Sequence, residues 1–201
     1  MSNGKSVDRA LELIAKLSID KASQVFSKMI KAGARIDLEK VYVADISEAS
    51  AKVVSEGEEE IVGAFIDLVG DAPFKFLFFI NKDDSLVVTD MILRREIGTT
   101  KEFNAYSHSA VQEIGNILAS AISNVFATDF QIAMKPTPPE VIHDFAGTVF
   151  EEYIMGVALE KNEILIIESV FHVVSQDIRC RMFILPMPET EKVLNYIVST
   201  M

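Results

Sequence analysis

Apolar side chains return every three or four positions between residues 6 and 31, and lysines stand between them. This is the spacing of a helix with one buried face, so it predicts one long amphipathic helix. Gly33 is expected to end that helix. A second stretch with the same rhythm predicts another long helix over about 102–127.

Three strands are predicted after the first helix. The segment RIDLEKVYVADI, from Arg35, alternates apolar and polar residues as a half-buried strand does. The segments EIVGAFIDLV and FKFLFFI predict two more strands, joined by the turn residues GDAP at 70–73. The acidic run EGEEE at 56–60 is expected to form a solvated loop, and a short helix is predicted around 83–96.

The second long helix is expected to lead into a strand near DFQIAM, after which the cluster PTPPE at 136–140 breaks the backbone. Pro139 suits the first turn of a helix, and a short helix is therefore predicted from there through His143 and Phe145. Three strands are predicted next, in YIMGVALE, EILIIESVFHVV and IRCRMFIL, before a terminal helix from about Glu189.

The order of one helix and three strands is thus used twice, and the two long helices align without a gap at an offset of 100 residues. The matched pairs include Ala10 with Ala110, Ile14 with Ile114, Ser23 with Ser123, Val25 with Val125, and Phe26 with Phe126. We therefore predict an α+β fold with a mainly antiparallel sheet packed against two long helices. It is expected to be one domain over residues 1–201, internally duplicated as about 6–100 and 101–201.

The charge balance limits the classes of partner. With 19 Lys and Arg against 30 Asp and Glu, the formal net charge of −11 repels phosphate backbones and anionic lipid surfaces, so neither nucleic acid nor a membrane is an expected partner. The longest apolar run is too short to cross a bilayer. Cys180 is the only cysteine and is expected to be a core residue. A reducing, cytoplasmic location is predicted.

One stretch of the second long helix contains residues of low helix propensity. In SAVQEIGN, Gly115 and Asn116 stand side by side, and both residue types weaken a helix. Helical geometry groups four polar residues within roughly 60° of one face, opposite the aliphatic stripe. These four residues are Ser109, Glu113, Asn116 and Ser120.

Two explanations of this face remain open on residue chemistry alone: a solvated helix surface, or a functional site. Ile117 is expected at the edge of the polar face, exposed and available to a partner. Gly115 points away from Glu113, where the missing side chain would let the helix pack closely on a strand.

The same residues carry a resemblance to a known family. The run of Ser109, three residues, Glu113, two residues, Asn116 and, after 22 more residues, Pro139 resembles the signature of the CheC, CheX and FliY phosphatases of chemotaxis. The tetrapeptide EIGN and the paired prolines at 138 and 139 are most similar to CheC.

Only the second of the two family motifs is intact. At the offset of 100, the motif positions of the first half have lost their chemistry, so one active face is predicted where CheC typically has two. Those positions hold Arg9, Leu13, Lys16 and Glu39.

The resemblance implies hydrolysis of the aspartyl phosphate of a CheY-type response regulator. It gives Asn116 the role of orienting a water molecule and Glu113 that of pairing with a lysine of the regulator. Ser109, Ile117, Ser120 and Pro139 are the implied supporting or partner-binding residues. The divalent cation, Mg²⁺, is expected to belong to the regulator.

No cofactor or metal of the chain's own is expected, because His108, His143 and His172 are scattered and no metal-binding motif occurs. The alternative function is a non-catalytic adaptor that binds a phosphorylated response regulator or CheD, the receptor-modifying deamidase. Loss of the first motif is compatible with such a role.

Overall fold

The computed structural model describes residues 2–30, 34–48, 59–149, 152, 163–173, 176–187 and 190–200. The helices are α1 (Ser2–Ile30), α2 (Lys82–Leu93), α3 (Ala105–Asp129), α4 (Ala146–Val149) and α5 (Thr190–Thr200). The strands are β1 (Ala34–Asp45), β2 (Glu60–Gly70), β3 (Phe74–Asn81), β4 (Met134–Pro136), β5 (Glu140–Phe145), β6 (Glu163–Val173) and β7 (Gln176–Pro186).

All the described strands join one antiparallel sheet in the order β1, β6, β7, β3, β2, with β4 and β5 both paired to β2 at the far edge. The predicted α+β fold is confirmed. Each outer strand pairs with a strand of the other half of the chain: β1 with β6, and β5 with β2. The order is therefore symmetric about the β7–β3 pair when residues are shifted by 100. The division of one domain into two similar halves stays a prediction.

The two long predicted helices are confirmed, and α1 packs against α3 on one face of the sheet. Between these helices and the sheet lies the larger core, which buries Phe26 and Phe126 together with Phe74, Phe76 and Phe78 of β3. Cys180 is 2% exposed and belongs to this core, as predicted.

The opposite face of the sheet carries a second, smaller core. Leu77 and Phe79 of β3 point into it, and the rings of Phe79 and Phe183 stack with their centroids 5.3 Å apart. Because both faces of β3 are covered, this strand is apolar at nearly every position, which explains the segment FKFLFFI.

The short helix predicted from Pro139 through Phe145 is wrong. Residues 140–145 form β5, in which Ile142 lies opposite Gly63 of β2, and a helical turn begins only at Ala146. The local proline signal is overridden because β2 would otherwise present unpaired backbone groups at a sheet edge. Ile142 also becomes buried in the smaller core.

The strand predicted near DFQIAM is shorter than expected, because the chain first has to leave α3. The N–H of Ile132 donates to the carbonyl of Phe126 at 2.9 Å, and Gln131 adopts a left-handed backbone with φ 58°. Strand pairing therefore begins only at Met134. The predicted strand YIMGVALE, and all but the last two residues of the predicted EGEEE loop, lie outside the described residues.

None of the described helices combines the length and the apolar character that crossing a membrane requires.

Candidate functional site

Helix α3 begins at a well-formed cap. The side-chain oxygen of Asn104 accepts hydrogen bonds from the backbone N–H groups of Tyr106, at 2.9 Å, and Ser107, at 3.4 Å. A cap of this kind satisfies donors that a helix start otherwise leaves free. The first turn of α3 is therefore held in a defined position.

The chain segment before α3 is anchored by a buried carboxylate. Asp90 of α2 is fully buried and accepts hydrogen bonds from the backbone N–H groups of Gly98 (2.8 Å), Thr99 (2.9 Å) and Thr100 (3.0 Å), and from the Thr100 hydroxyl (2.6 Å). Burial raises the pKa of Asp90, but these hydrogen bonds outweigh it, and the net pKa lies below its ordinary value. The ionised carboxylate thus organises the loop that leads into α3.

Gly115 lets α3 seat closely on the sheet, as predicted. A Cβ atom on this residue would lie 2.9 Å from Ala64 Cβ and 3.2 Å from Phe78 Cε1. Both distances are shorter than ordinary carbon contacts, so only glycine fits without movement.

Through the middle of α3 only a narrow arc faces solvent. Ser109, Glu113 and Asn116 are exposed and Ser120 is half-buried. The helix is contacted by α1, α2, β2 and β4, which cover the rest of its circumference. The four polar residues predicted to share a face therefore do share it.

The predicted exposure of Ile117 is wrong: this side chain is only 8% exposed and belongs to the larger core. A helix covered on a single side would leave a residue at this angle in contact with water. Because α3 has neighbours on several sides, its buried arc is wider than the aliphatic stripe indicated.

An open groove of about 370 Å³ runs between α3 and the break that separates β4 from β5. One side is lined by Ser109, Gln112, Glu113 and Asn116, and the other by Pro136, Thr137, Pro138 and Pro139. The structure therefore brings together the four motif positions Ser109, Glu113, Asn116 and Pro139, which are up to 30 residues apart in sequence. Ile117 and Ser120 do not line the groove.

Residues 136–139 form the wall of the groove opposite α3, and hydrogen bonds hold this wall from two sides. Thr137 exchanges two hydrogen bonds with Asp67 of β2: its N–H donates to the Asp67 carbonyl at 2.8 Å, and its hydroxyl accepts from the Asp67 N–H at 3.1 Å. On the helix side, Gln112 Nε2 donates to the carbonyl oxygen of Pro139 at 3.2 Å. These hydrogen bonds therefore fix the position of the wall relative to both β2 and α3.

Gln112 and Thr137 were missed by the sequence analysis. For Thr137 a signal existed, because it is the one residue of PTPP that has a backbone N–H to donate. For Gln112 the sequence offers no comparable signal, since its bond to Pro139 spans 27 residues.

The break between β4 and β5 has a counterpart in the first half of the chain. Strand β1 shifts register between Leu38 and Lys40, which is the position of the β4–β5 break at an offset of 100. At this bulge Glu39, the counterpart of Pro139, accepts hydrogen bonds from Arg179 Nη1 at 2.9 and 3.2 Å. On α1, Arg9 and Lys16 are exposed and Leu13 is half-buried. The first half thus offers no carboxylate and amide pair at the equivalent place.

The side chains of the groove are of the kinds that position a bound group through hydrogen bonds and charge. Its lining residues include a carboxylate, two side-chain amides and two hydroxyls, but no histidine, cysteine or lysine. The Ser109 hydroxyl donates to the carbonyl of Ala105 at 3.0 Å, back into its own helix. No group of three His, Cys, Asp or Glu able to hold a metal occurs within the described part of the chain.

Comparison with known sequences finds a family model that matches part of the chain. The sequence model of the CheC-like family matches residues 107–143, the segment that holds the motif from Ser109 to Pro139. This segment is therefore similar to the CheC-like family, in agreement with the resemblance that the motif carries. The match begins two residues before Ser109 and ends within β5, so it covers the groove and both of its walls.

Three solved structures illustrate the fold that this chain shares with known proteins. FliY of Thermotoga maritima superimposes with a TM-score of 0.74 at 13% identity, covering 96% of each chain. FliM in the FliM–SpeE complex of H. pylori gives 0.70 at 15% identity, covering 97% of this chain and 96% of that one. The CheX–CheY complex of Borrelia burgdorferi, with BeF3 and Mg²⁺, gives 0.54 at 17% identity, covering 85% and 96%.

A curated protein also shows sequence similarity. Pantothenate synthetase of Neisseria meningitidis serogroup B is 27% identical over 104 residues, which are 48% of this chain and 35% of that protein. The alignment therefore spans about a third of the length of that relative.

Proposed function

We propose that this chain is a phosphatase that hydrolyses the aspartyl phosphate of a CheY-type response regulator in chemotaxis signalling. The observation that supports it best is the joint exposure of Glu113 and Asn116 on a capped, tightly seated helix, facing the wall that contains Pro139. A second support is the structural similarity to a CheX–CheY complex that contains BeF3 and Mg²⁺.

The proposed reaction makes modest demands on the protein. An acyl phosphate is already activated, so the catalyst needs a water molecule held in line with the phosphorus–oxygen bond that breaks. The Asn116 amide has both a donor and an acceptor and suits this task. Positioning of this kind is expected to accelerate hydrolysis by about 10² to 10³-fold, equivalent to about 3 to 4 kcal/mol of activation free energy.

The remaining components of the proposed site are divided between the two proteins. Glu113 is proposed to pair with a lysine of the regulator, which would hold the two proteins in register. The Mg²⁺ ion is proposed to be bound by the regulator. A cytoplasmic place of action is part of the proposal, because a chain with a single cysteine suits a reducing compartment.

The direct test mixes the purified chain with phosphorylated regulator and follows phosphate release. We expect the wild-type chain to shorten the lifetime of the phosphorylated regulator and Asn116→Ala to remove most of this acceleration. Lys16→Ala is the matched control, since Lys16 occupies the equivalent exposed position on α1 and should leave the rate unchanged. An Asn116→Ala variant as active as wild type would reject the assigned role.

A second candidate function is an adaptor without catalysis, binding CheD or a phosphorylated response regulator. Two observations favour it: the first motif is lost, and the fold also occurs in FliM within a FliM–SpeE complex. An adaptor would bind the phosphorylated regulator without changing its lifetime. The phosphate-release measurement therefore distinguishes the two candidates.

A further inference from the structure

An exposed aromatic ring continues the polar arc of α3 towards the start of the helix. Tyr106 is 58% exposed, one helical turn before Ser109, and about 20° around the helix from Glu113. At 1.5 Å per residue it lies about 15 Å along the helix axis from Asn116. A protein that entered the groove along α3 would meet this ring next.

A guanidinium group accompanies the ring. The Arg95 guanidinium carbon lies 5.1 Å from the centre of the Tyr106 ring, within the range of a cation–π contact. Both residues are exposed to solvent. Tyrosine and arginine, together with tryptophan, are enriched among the side chains that contribute most to protein–protein binding.

The backbones of both residues are fixed before any partner binds. The Tyr106 N–H donates to the capping oxygen of Asn104 at 2.9 Å, and the Arg95 N–H donates to the Asp90 carbonyl at 2.8 Å. The Asp90 carboxylate holds the loop between Arg95 and α3. A preorganised pair loses little conformational entropy on binding, which favours affinity.

We propose that Tyr106 and Arg95 form a docking contact for the same response regulator whose phosphorylated pocket receives Glu113 and Asn116. This inference rests on the proposed function. The choice of occupant follows from continuity, since the ring lies on the same exposed arc as the groove. It also follows from charge: the aspartyl phosphate that the regulator carries is anionic, and Arg95 supplies a local cation on a chain whose net charge is −11.

The test separates binding from chemistry. In steady-state phosphate release, Tyr106→Ala is expected to raise KM about tenfold while kcat stays within about twofold. Arg95→Ala should raise KM less and should weaken its dependence on ionic strength. Tyr196→Ala is the matched control, because Tyr196 is also 58% exposed but lies on α5. A Tyr106→Ala variant with the KM of wild type would overturn the inference.

A binding measurement keeps this inference distinguishable from the proposed function. Fluorescence anisotropy with a labelled CheY-type regulator carrying BeF3 and Mg²⁺ reports affinity in the Asn116→Ala background, without turnover. About tenfold weaker binding on adding Tyr106→Ala supports the docking contact even if the wild-type chain releases no phosphate. Unchanged binding overturns the contact even if the chain is an active phosphatase. Failure of the wild-type chain to bind any such regulator overturns both.

Discussion

The side chain of Gln112 donates a hydrogen bond to the backbone carbonyl of Pro139 across the groove, with 3.2 Å between Nε2 and the oxygen. The two residues belong to opposite walls. Gln112 precedes the proposed catalytic Glu113 on α3, and Pro139 ends the break before β5. This bond is therefore a direct link between the helix that carries the site and the wall that faces it.

Loss of this link is expected to lower activity more than stability. Gln112→Leu keeps the size of the side chain but leaves the Pro139 carbonyl without its donor, and a single hydrogen bond contributes only about 1 kcal/mol to folding. We expect phosphate release to slow about three- to tenfold, because small displacements of a positioned group reduce rates steeply. Gln24→Leu, at an exposed position on α1, is the control. Equal rates for Gln112→Leu and wild type would show that the wall needs no support from α3.

Gly115→Ala is expected to destabilise the protein even though alanine favours a helix by about 1 kcal/mol. The added methyl group would lie 2.9 Å from Ala64 Cβ, which cannot rotate away, so α3 or β2 must move. Overpacking of this kind costs typically about 1 to 3 kcal/mol, and the net loss of unfolding free energy is therefore small but measurable by urea titration.

The second variant for this contact is Ala64→Gly. Removing the Ala64 methyl group should relieve the clash, so the double variant should be more stable than the sum of the two single changes predicts. A Gly115→Ala protein more stable than wild type, or an absence of coupling with Ala64→Gly, would contradict the close seating of α3.

The long helices and most strands could be predicted from the sequence because their signals are local. The apolar spacing of α1 and α3 and the alternation in β1 each lie within one element. The character of β5 was not visible in this way, since Pro139 is locally a good helix start. What makes residues 140–145 a strand is the free edge of β2, whose paired residues are 75 to 85 positions away along the chain.

In the candidate site, too, local features could be predicted from the sequence and contacts between distant segments could not. The shared face of Glu113 and Asn116 follows from helical geometry alone, and the structure agrees. The burial of Ile117 depends on how many elements surround α3, and the roles of Gln112 and Thr137 depend on contacts between distant segments. These features depend on tertiary contacts, which the local pattern of a single sequence does not specify.

Glu113→Gln is expected to slow phosphate release about tenfold if Glu113 pairs with a lysine of the regulator. The amide keeps the shape and one acceptor but loses the charge that makes such a hydrogen bond strong. The ratio of the wild-type rate to the Glu113→Gln rate should fall as salt is added, because salt screens the charge pair that only the wild-type protein can form. Glu12→Gln, an exposed glutamate on α1, should behave as wild type. Identical salt dependences for Glu113→Gln and wild type would exclude a charge pair at this position.

Asp90→Asn is expected to lower the unfolding free energy by about 1 to 3 kcal/mol, because an amide replaces an acceptor that receives several hydrogen bonds in a buried position. Asp20→Asn, on the exposed face of α1, should change it little.

The contribution of Asp90 to the free energy of unfolding should also depend on pH, and its lowered pKa determines the direction of this dependence. A carboxyl group that ionises more readily in the folded protein stabilises it fully above its unfolded pKa, close to the ordinary value of 3.8, and loses this contribution as pH falls towards the lower folded pKa. The stability difference between wild type and Asp90→Asn should therefore be constant above about pH 5 and shrink below about pH 4. Urea titrations of both proteins between pH 3 and pH 7 measure it, and a difference that grows on acidification would contradict an ionised, hydrogen-bonded Asp90.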